Sequence, residues 1–265
     1  MKKLPTCSLV APTYNWTAAL ELLLISVLKQ TMLPNEVIIA DDGSKNDTKL
    51  LIESFQKNFP IPLIHIWHED NKNQKPKIMN KAIAASKNEY IIEIDGDIIM
   101  HKNFIEDHLK FAEKNMYLFG SRANIQKNAI KKVFDCKIIK FNFFSIGIKK
   151  RFRTLHLPQF MKFAKKVNKR SSKLRGCNMS FWREDFLKVN GFNEDLQGWG
   201  LDDSELIERF HHSNIVGKRL KFAGIVYHIY HVEQDKSLTN INGEIERKTV
   251  TERLTYIKNG VDQYL

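Results

Sequence analysis

The feature that most constrains the fold of this 265-residue chain is an alternation running through its first 115 residues. Short apolar runs of strand type recur at 8–11, 36–40, 63–67 and 90–94. Between and after them, apolar residues fall at helical spacing over 17–30, 47–58, 77–86 and 101–115, with Thr17 as a candidate N-cap for the first helix. Strands separated by crossover helices imply an α/β fold with a mostly parallel central sheet covered by helices. In such sheets the ligand binds beyond the carboxyl ends of the strands. The polar clusters at 12–15, 41–44 and 95–97 each follow a strand directly, so this fold brings them to one rim.

Beyond 115 the pattern changes. Residues 116–175 show no clear alternation and hold most of the charge imbalance. The chain carries 42 Lys+Arg against 30 Asp+Glu, a formal net charge of +12. Between Lys131 and Arg175 there are 15 Lys/Arg against Asp135 alone, a net of +14, while the other 220 residues hold 27 basic and 29 acidic side chains. A nearly neutral protein thus carries one strongly basic segment, 131–175. After it come a strand-like run at 178–182, a helix over 183–189, a turn at Asn190-Gly191, and a Gly/Trp/acid cluster at 198–205 that opens a helix to about 212. A strand-like segment at 225–230 carries histidines, and a charged helix begins near Asn242. The chain divides on this reading into 1–115, 116–232 and a helical tail, 233–265.

Several classes are excluded. An apolar fraction of 43% is too high for a disordered chain. The longest apolar run, 22–25, is far short of the ~20 residues that span a bilayer. The first 15 residues contain no apolar core of a secretory signal. Cys7, Cys136 and Cys177 are odd in number and widely spaced, against a disulfide framework or zinc site and for a reducing compartment, so the cytoplasm is the expected setting.

Four clusters can carry chemistry. Asp95-Gly96-Asp97 offers two carboxylates that can converge on one cation, beside a glycine that lets backbone approach a phosphate. Asp41-Asp42-Gly43-Ser44 reads either as a capping turn or as a carboxylate placed for a ribose or base. Neither GxGxxG nor GxxxxGK[ST] occurs, so a nucleotide here needs its diphosphate neutralised by a metal. Gly198-Trp199-Gly200-Leu201-Asp202-Asp203-Ser204-Glu205 joins a flat aromatic face, suited to the C–H face of a sugar, to acids at a helix start. His228 and His231 lie on opposite faces of a strand, or together in a turn.

Taken together, these residues resemble a family 2 glycosyltransferase of GT-A (Rossmann-like) fold, of the bacterial branch whose C-terminal half is of galactosyltransferase and chondroitin-synthase type. The matching pieces run in order: Pro12-Thr13-Tyr14-Asn15, the DDGS at 41–44, Lys77 to Ile83, the DGD at 95–97, Arg175-Gly176-Cys177-Asn178-Met179-Ser180, Asn190 to Glu194, GWGLDDSE at 198–205, and Tyr227 to His231. They cover roughly 6–232. The resemblance implies an inverting hexosyltransferase with a donor-binding first half and an acceptor-binding, catalytic second half. It implies that Pro12, Thr13, Tyr14, Asp42, Lys77 and Asp95 bind a UDP-sugar donor. Asp97 and His228, with His231 as the alternative, bind Mn²⁺ or Mg²⁺. Asn178, Trp199, Gly200 and Asp202 meet a saccharide acceptor, and Asp203 is the general base. The family commonly has Glu-Asp where this chain has Asp202-Asp203, one methylene shorter in reach. No carboxylate stands out as a covalent nucleophile, which favours single displacement.

Two rivals stand beside this reading. A metal-dependent sugar nucleotidyltransferase also uses a DxD, but has no need of a Trp-containing acceptor loop. A nucleic-acid-binding protein fits the sequence pI of about 9.5, but no zinc-finger, RNP or homeodomain signature accompanies the basic block. Residues 141–166 mix Phe, Ile, Leu and Met with Lys and Arg, as an interfacial segment on anionic lipid does. That mixture suits an enzyme peripheral to the inner face of the cytoplasmic membrane with a lipid-linked acceptor, in lipopolysaccharide, lipooligosaccharide or capsule assembly. A solvated insertion and a subsite for acidic acceptor sugars are the other readings of the block.

Overall fold

The computed structural model of the protein describes residues 3–198, 200–232 and 239–265. The first half follows the expected alternation: β1 (Cys7–Thr13), α1 (Thr17–Val27), β2 (Glu36–Asp41), α2 (Asn46–Gln56), β3 (Leu63–Trp67), α3 (Lys75–Ala85) and β4 (Tyr90–Ile94). Then come β5 (Ile98–Met100), α4 (Phe104–Phe111), β6 (Met116–Phe119), β7 (Arg122–Ile125), α5 (Lys127–Asp135), β8 (Ile148–Lys149) and β9 (Lys166–Val167). The chain continues with β10 (Asn178–Trp182), α6 (Arg183–Lys188), α7 (Asp202–His212), β11 (Val216–Arg219), β12 (Val226–His228) and α8 (Thr239–Thr251).

Eight strands form the central sheet in the order β3-β2-β1-β4-β10-β6-β11-β9. The β3-β2-β1-β4 part is all parallel, while β10 runs antiparallel to both β4 and β6. The second half of the chain therefore extends the sheet of the first. Every residue of β2 and β4 is buried, because helices cover both faces. Strand alternation sorts the side chains. Leu9, Ile39 and Ile92 pack under α1 with Leu20, Leu23 and Leu24. Val10, Ile38 and Ile91 pack under α3, α6 and α7 with Ile78, Met79, Phe186 and Phe210.

Two local expectations shift. Thr17 is the first residue of α1, and the capping position falls on Trp16, which makes no side-chain cap bond. The helix expected at 77–86 begins two residues earlier, with Pro76 in its first turn. The stretch 116–175, featureless in sequence, contributes strands to both sheets and one helix.

A second sheet, β5-β12-β7-β8, sets His228 opposite Ile98 and so beside Asp97. The end of the chain is tied down. Thr249 of α8 donates to Glu205 at 2.8 Å, and the Asn242 amide donates to the Gln197 and Gly200 carbonyls. Glu205 is itself paired with Arg209 inside α7, and both are fully buried. That pair fixes α7, and with it the acids of its first turn.

Candidate active site

The carboxyl ends of β1, β2 and β4 open into a cleft of about 1600 Å³. A site for one small ligand measures roughly 300–1,000 Å³, so this one has room for two. Pro12, Thr13, Tyr14, Asp42, Asp95 and Asp97 line it from the first half. Gly200, Asp202, Asp203, His228 and His231 line it from the second.

The corner at β1 and β2 is built by hydrogen bonds to carboxylates. Thr13 pairs in register with Asp41, which aligns the two strand ends. Asp42 is held by the His68 ring at 2.7 Å and by the Gln74 amide at 3.0 Å. Burial raises its pKa, and His68 works against that rise. Tyr14 is half exposed and donates to Asp70 at 3.0 Å, leaving its ring face open to the cleft.

The second cluster centres on Lys75. Its ammonium donates to Asp95 at 3.3 Å and makes ionic approaches to Asp202 at 3.3 Å and Asp203 at 3.8 Å. Burial opposes its charge, but Asp202, Asp203 and Asp95 outweigh it and hold its pKa well above the ordinary value. Asp203 sits in the first turn of α7, where the helix dipole favours an acid. Burial and then the Asp202 charge nevertheless push its pKa up to about 7, with Lys75 acting the other way. A carboxyl titrating near neutral pH is suited to accept a proton in a reaction. Gly176 packs so closely on it that a Cβ there would collide with the Asp203 carboxylate. Behind the cluster, Glu93 on β4 is fully buried with neither carboxyl oxygen hydrogen-bonded. Burial first, and Asp203 second, raise its pKa well above the usual range.

The third cluster is Asp97 with His228 and His231. Both Nε2 atoms lie 3.1 Å from Asp97 Oδ2. Strand β12 ends at His228, and the chain then turns so that the two imidazoles come 5.1 Å apart. The turn, not the two-faced strand, is the arrangement adopted. Burial opposes the Asp97 charge, yet the two imidazoles hold its pKa well below the ordinary range. The other oxygen, Asp97 Oδ1, is buried without a partner. One ligand atom from each residue falls within 4.8 Å of the others. An orphaned carboxylate oxygen beside two imidazoles is a donor set that fits a divalent cation of the Mn²⁺ type.

Three of the sequence candidates stand apart. Lys77 does not line the cleft; Lys75, two positions earlier, does. Pro76 was the available signal, since proline in a first turn moves the helix start to 75. Asn178 is fully buried behind the site rather than open to an acceptor: its amide donates to the Gly224 carbonyl at 2.8 Å and its oxygen faces His108 at 3.1 Å. Trp199 lies outside the described residues. His68 and Arg122 carried no sequence signal, because their partners are brought to them only by the fold.

The site sits on a recognisable family frame. The sequence profile of Glycosyl transferase family 2 matches residues 8–172, and that of the N-terminal domain of galactosyltransferase matches 158–232. The chain belongs to glycosyl transferase family 2 and has the GT-A fold.

Among its relatives, the validoxylamine A glucosyltransferase of Streptomyces hygroscopicus subsp. limoneus is 24% identical over 78% of this chain and 48% of its own length. The chondroitin synthase of Escherichia coli is 23% identical over 83% of this chain and 34% of its own. The chain thus spans half or less of the length of these two relatives. Among solved structures, S. aureus TarS superposes with a TM-score of 0.63 at 16% identity, over 92% of this chain and 39% of TarS. The mannosyltransferase PcManGT of Pyrobaculum calidifontis, in complex with GDP-Man and Mn²⁺, gives 0.59 at 16% identity, over 94% and 63%.

Proposed function

We propose that this chain is an inverting, metal-dependent glycosyltransferase. It moves a hexose or N-acetylhexosamine from a UDP-sugar to a saccharide acceptor in the assembly of a bacterial surface polysaccharide such as lipopolysaccharide, lipooligosaccharide or capsule. The observation that carries the reading is Asp203. It is a carboxyl titrating near pH 7, buried at a helix start beside Asp202 and Lys75, in the same cleft as the Asp97–His228–His231 trio.

Geometry and charge support the following roles. Thr13, Tyr14 and Asp42 form the corner for uracil and ribose, and Asp95 supports the donor through its contact with Lys75. Asp97, His228 and His231 would hold Mn²⁺ or Mg²⁺. Bound there, the ion supplies Lewis-acid charge against the diphosphate oxygens. Deprotonated Asp203 accepts the proton of the acceptor hydroxyl as that oxygen attacks the anomeric carbon, and the UDP leaves from the opposite face. Lys75 opposes the rise at Asp203 and so favours its charged form. The first 115 residues serve the donor, and 116–232 the acceptor and the base.

The setting is the inner face of the cytoplasmic membrane. No described helix is long and apolar enough to cross a bilayer. Phe144 is 82% exposed, Ile146 91%, Phe152 71% and Phe163 68%, among the lysines and arginines of 140–165. Exposed apolar side chains within a basic surface are what an anionic lipid interface takes up. A polysaccharide-building relative, chondroitin synthase, supports the acceptor class.

The test is turnover against UDP-Glc, UDP-Gal, UDP-GlcNAc and UDP-GalNAc with Mn²⁺, reading UDP and free sugar. UDP release from one of them, abolished by chelator, is the expected result. Pyrophosphate release instead would assign the site to nucleotidyl transfer.

A further inference from the structure

Beside the cleft, five cations gather with no ion-pair partner among the described residues, although Arg122 donates to the Cys177 sulfur and feels Asp95 and Asp97 at longer range. Arg122 opens β7, Lys150 and Arg153 follow β8, Arg175 precedes β10, and Arg219 closes β11. Their convergence is physical. The Arg153 guanidinium donates to the Arg122 carbonyl at 2.9 Å. Burial, then Arg153, Arg122 and Arg175, lower the pKa of Lys150. Burial, then Arg219, Arg175 and Arg122, lower that of Arg153. Among the described residues none of the five has a carboxylate within 4.0 Å. The Arg219 Nε is buried with no hydrogen-bond partner.

Some other cations of the basic segment do have an acid beside them. Arg170 pairs with Glu208 and Glu246, Lys166 with Glu113, and Lys137 with Glu21. Acids thus neutralise those cations, whereas none of the five is ion-paired among the described residues; Arg122 senses Asp95 and Asp97 only from beyond pairing distance. Like charges held together raise the energy of the folded chain unless an anion joins them. Arginine forks bind phosphoryl oxygens bidentately, so several of them around one point suit a multiply charged phosphoryl group better than a single carboxylate.

Position narrows the source. Arg122 and Arg175 line the same cleft as Asp97 and Asp203. Arg175 is joined directly to Gly176, which packs against the Asp203 carboxylate. From there the group runs outward to Lys150, which is exposed on the turn after β8. An anion held by it lies on the side from which an acceptor hydroxyl would reach Asp203.

We propose that Arg122, Lys150, Arg153, Arg175 and Arg219 form a subsite for a phosphoryl group carried by the acceptor. The proposal rests on the transferase reading for the word acceptor, but the subsite is testable without turnover.

The probe is inorganic phosphate, titrated calorimetrically into the full chain, first in chelator and then with saturating UDP and Mg²⁺. Two double variants are compared, Arg153→Gln with Arg219→Gln, and Lys150→Gln with Arg175→Gln. The second pair lies at exposed positions and keeps the test alive if the first impairs folding. Wild type should bind phosphate with or without UDP, and the variants should lose about tenfold or more in phosphate affinity, as the loss of two charged donors implies. Their affinity for UDP with Mg²⁺ should stay within about twofold, since the lost charges are not phosphate donors to the nucleotide. The proposal is overturned by no phosphate binding in wild type, by unchanged binding in the variants, or by an adventitious ion only, displaced by salt equally in all three proteins. A parallel fall in UDP affinity overturns it differently, by assigning the cluster to the donor diphosphate. Failure of the transferase reading would show instead as no UDP release from any UDP-sugar, with phosphate binding intact.

Discussion

The rim of β1, β2 and β4 and the strip that runs from Arg122 to Arg219 handle charge in opposite ways. At the rim, Lys75 is shared by three carboxylates, Asp97 by two imidazoles, and Asp42 is capped by His68. Charges there are held by other charges of the same molecule, which fixes their positions before any ligand arrives. Preorganised groups of that kind stabilise a transition state without moving. In the strip, five cations stand near one another and none is ion-paired with an acid among the described residues, Arg122 alone sensing the rim's Asp95 and Asp97 from beyond pairing distance. Aromatic side chains beside them stand in solvent. Internal balance marks the part of the molecule that performs chemistry. Imbalance marks the part that meets something from outside.

The largest effect expected is at the rim. Asp203→Asn keeps the shape and removes the proton acceptor, so transfer should fall by about 10²–10⁴-fold, the usual contribution of a general base. UDP affinity, measured calorimetrically, should stay near the wild-type value. The wild-type rate should rise with pH through about 7, because the deprotonated carboxylate is the active form and burial has raised its pKa to that point. The variant should lose that acid limb. Wild-type turnover in Asp203→Asn would remove the base from this position.

A smaller loss is expected from Gly176→Ala. The added methyl displaces the Asp203 carboxylate while leaving Asp97 and the histidines untouched. Misplacement of a reacting group by about 1 Å costs on the order of 10² in rate. Steady-state kinetics should show that fall in kcat, with donor affinity little changed. An unaltered kcat would mean that Asp203 is not held by this contact.

The smallest effect on chemistry is expected in the strip. Phe144→Ser with Phe152→Ser and Phe163→Ser should leave transfer to a water-soluble acceptor within about twofold, because exposed side chains away from a site seldom matter to the fold. Flotation with anionic vesicles should drop sharply. Equal flotation by wild type on neutral and anionic vesicles would break the contrast drawn above.

How much of this was legible in the sequence depends on the kind of order involved. Strands at 63–67, 90–94 and 178–182 match the observed β3, β4 and β10 residue for residue. The apolar run of β4 reports burial on both faces directly, whereas β3 lies at the sheet edge with Trp67 half exposed. The segment 116–175 was not legible, because its strands are only two to four residues long and are fixed by pairing with distant partners, as β9 is with β11. In the site, Asp97, Asp202 and Asp203 were visible as motifs. Lys75 was not, because its importance lies in three acids that are distant in sequence. Asn178 shows the opposite error: a polar residue inside a motif whose amide turns inward to satisfy backbone carbonyls.

The sequence by itself determined the parallel strands of the first half, the rim and the family, since apolar periodicity and contiguous motifs are local properties of a chain. Only the tertiary structure decided which charges meet. It folded His231 back onto Asp97, set Lys75 among three carboxylates, and brought five cations together with no ion pair among the described residues. Electrostatic interaction depends on distance through space, and residues 75 and 203, or 153 and 219, become neighbours only when the sheet has formed.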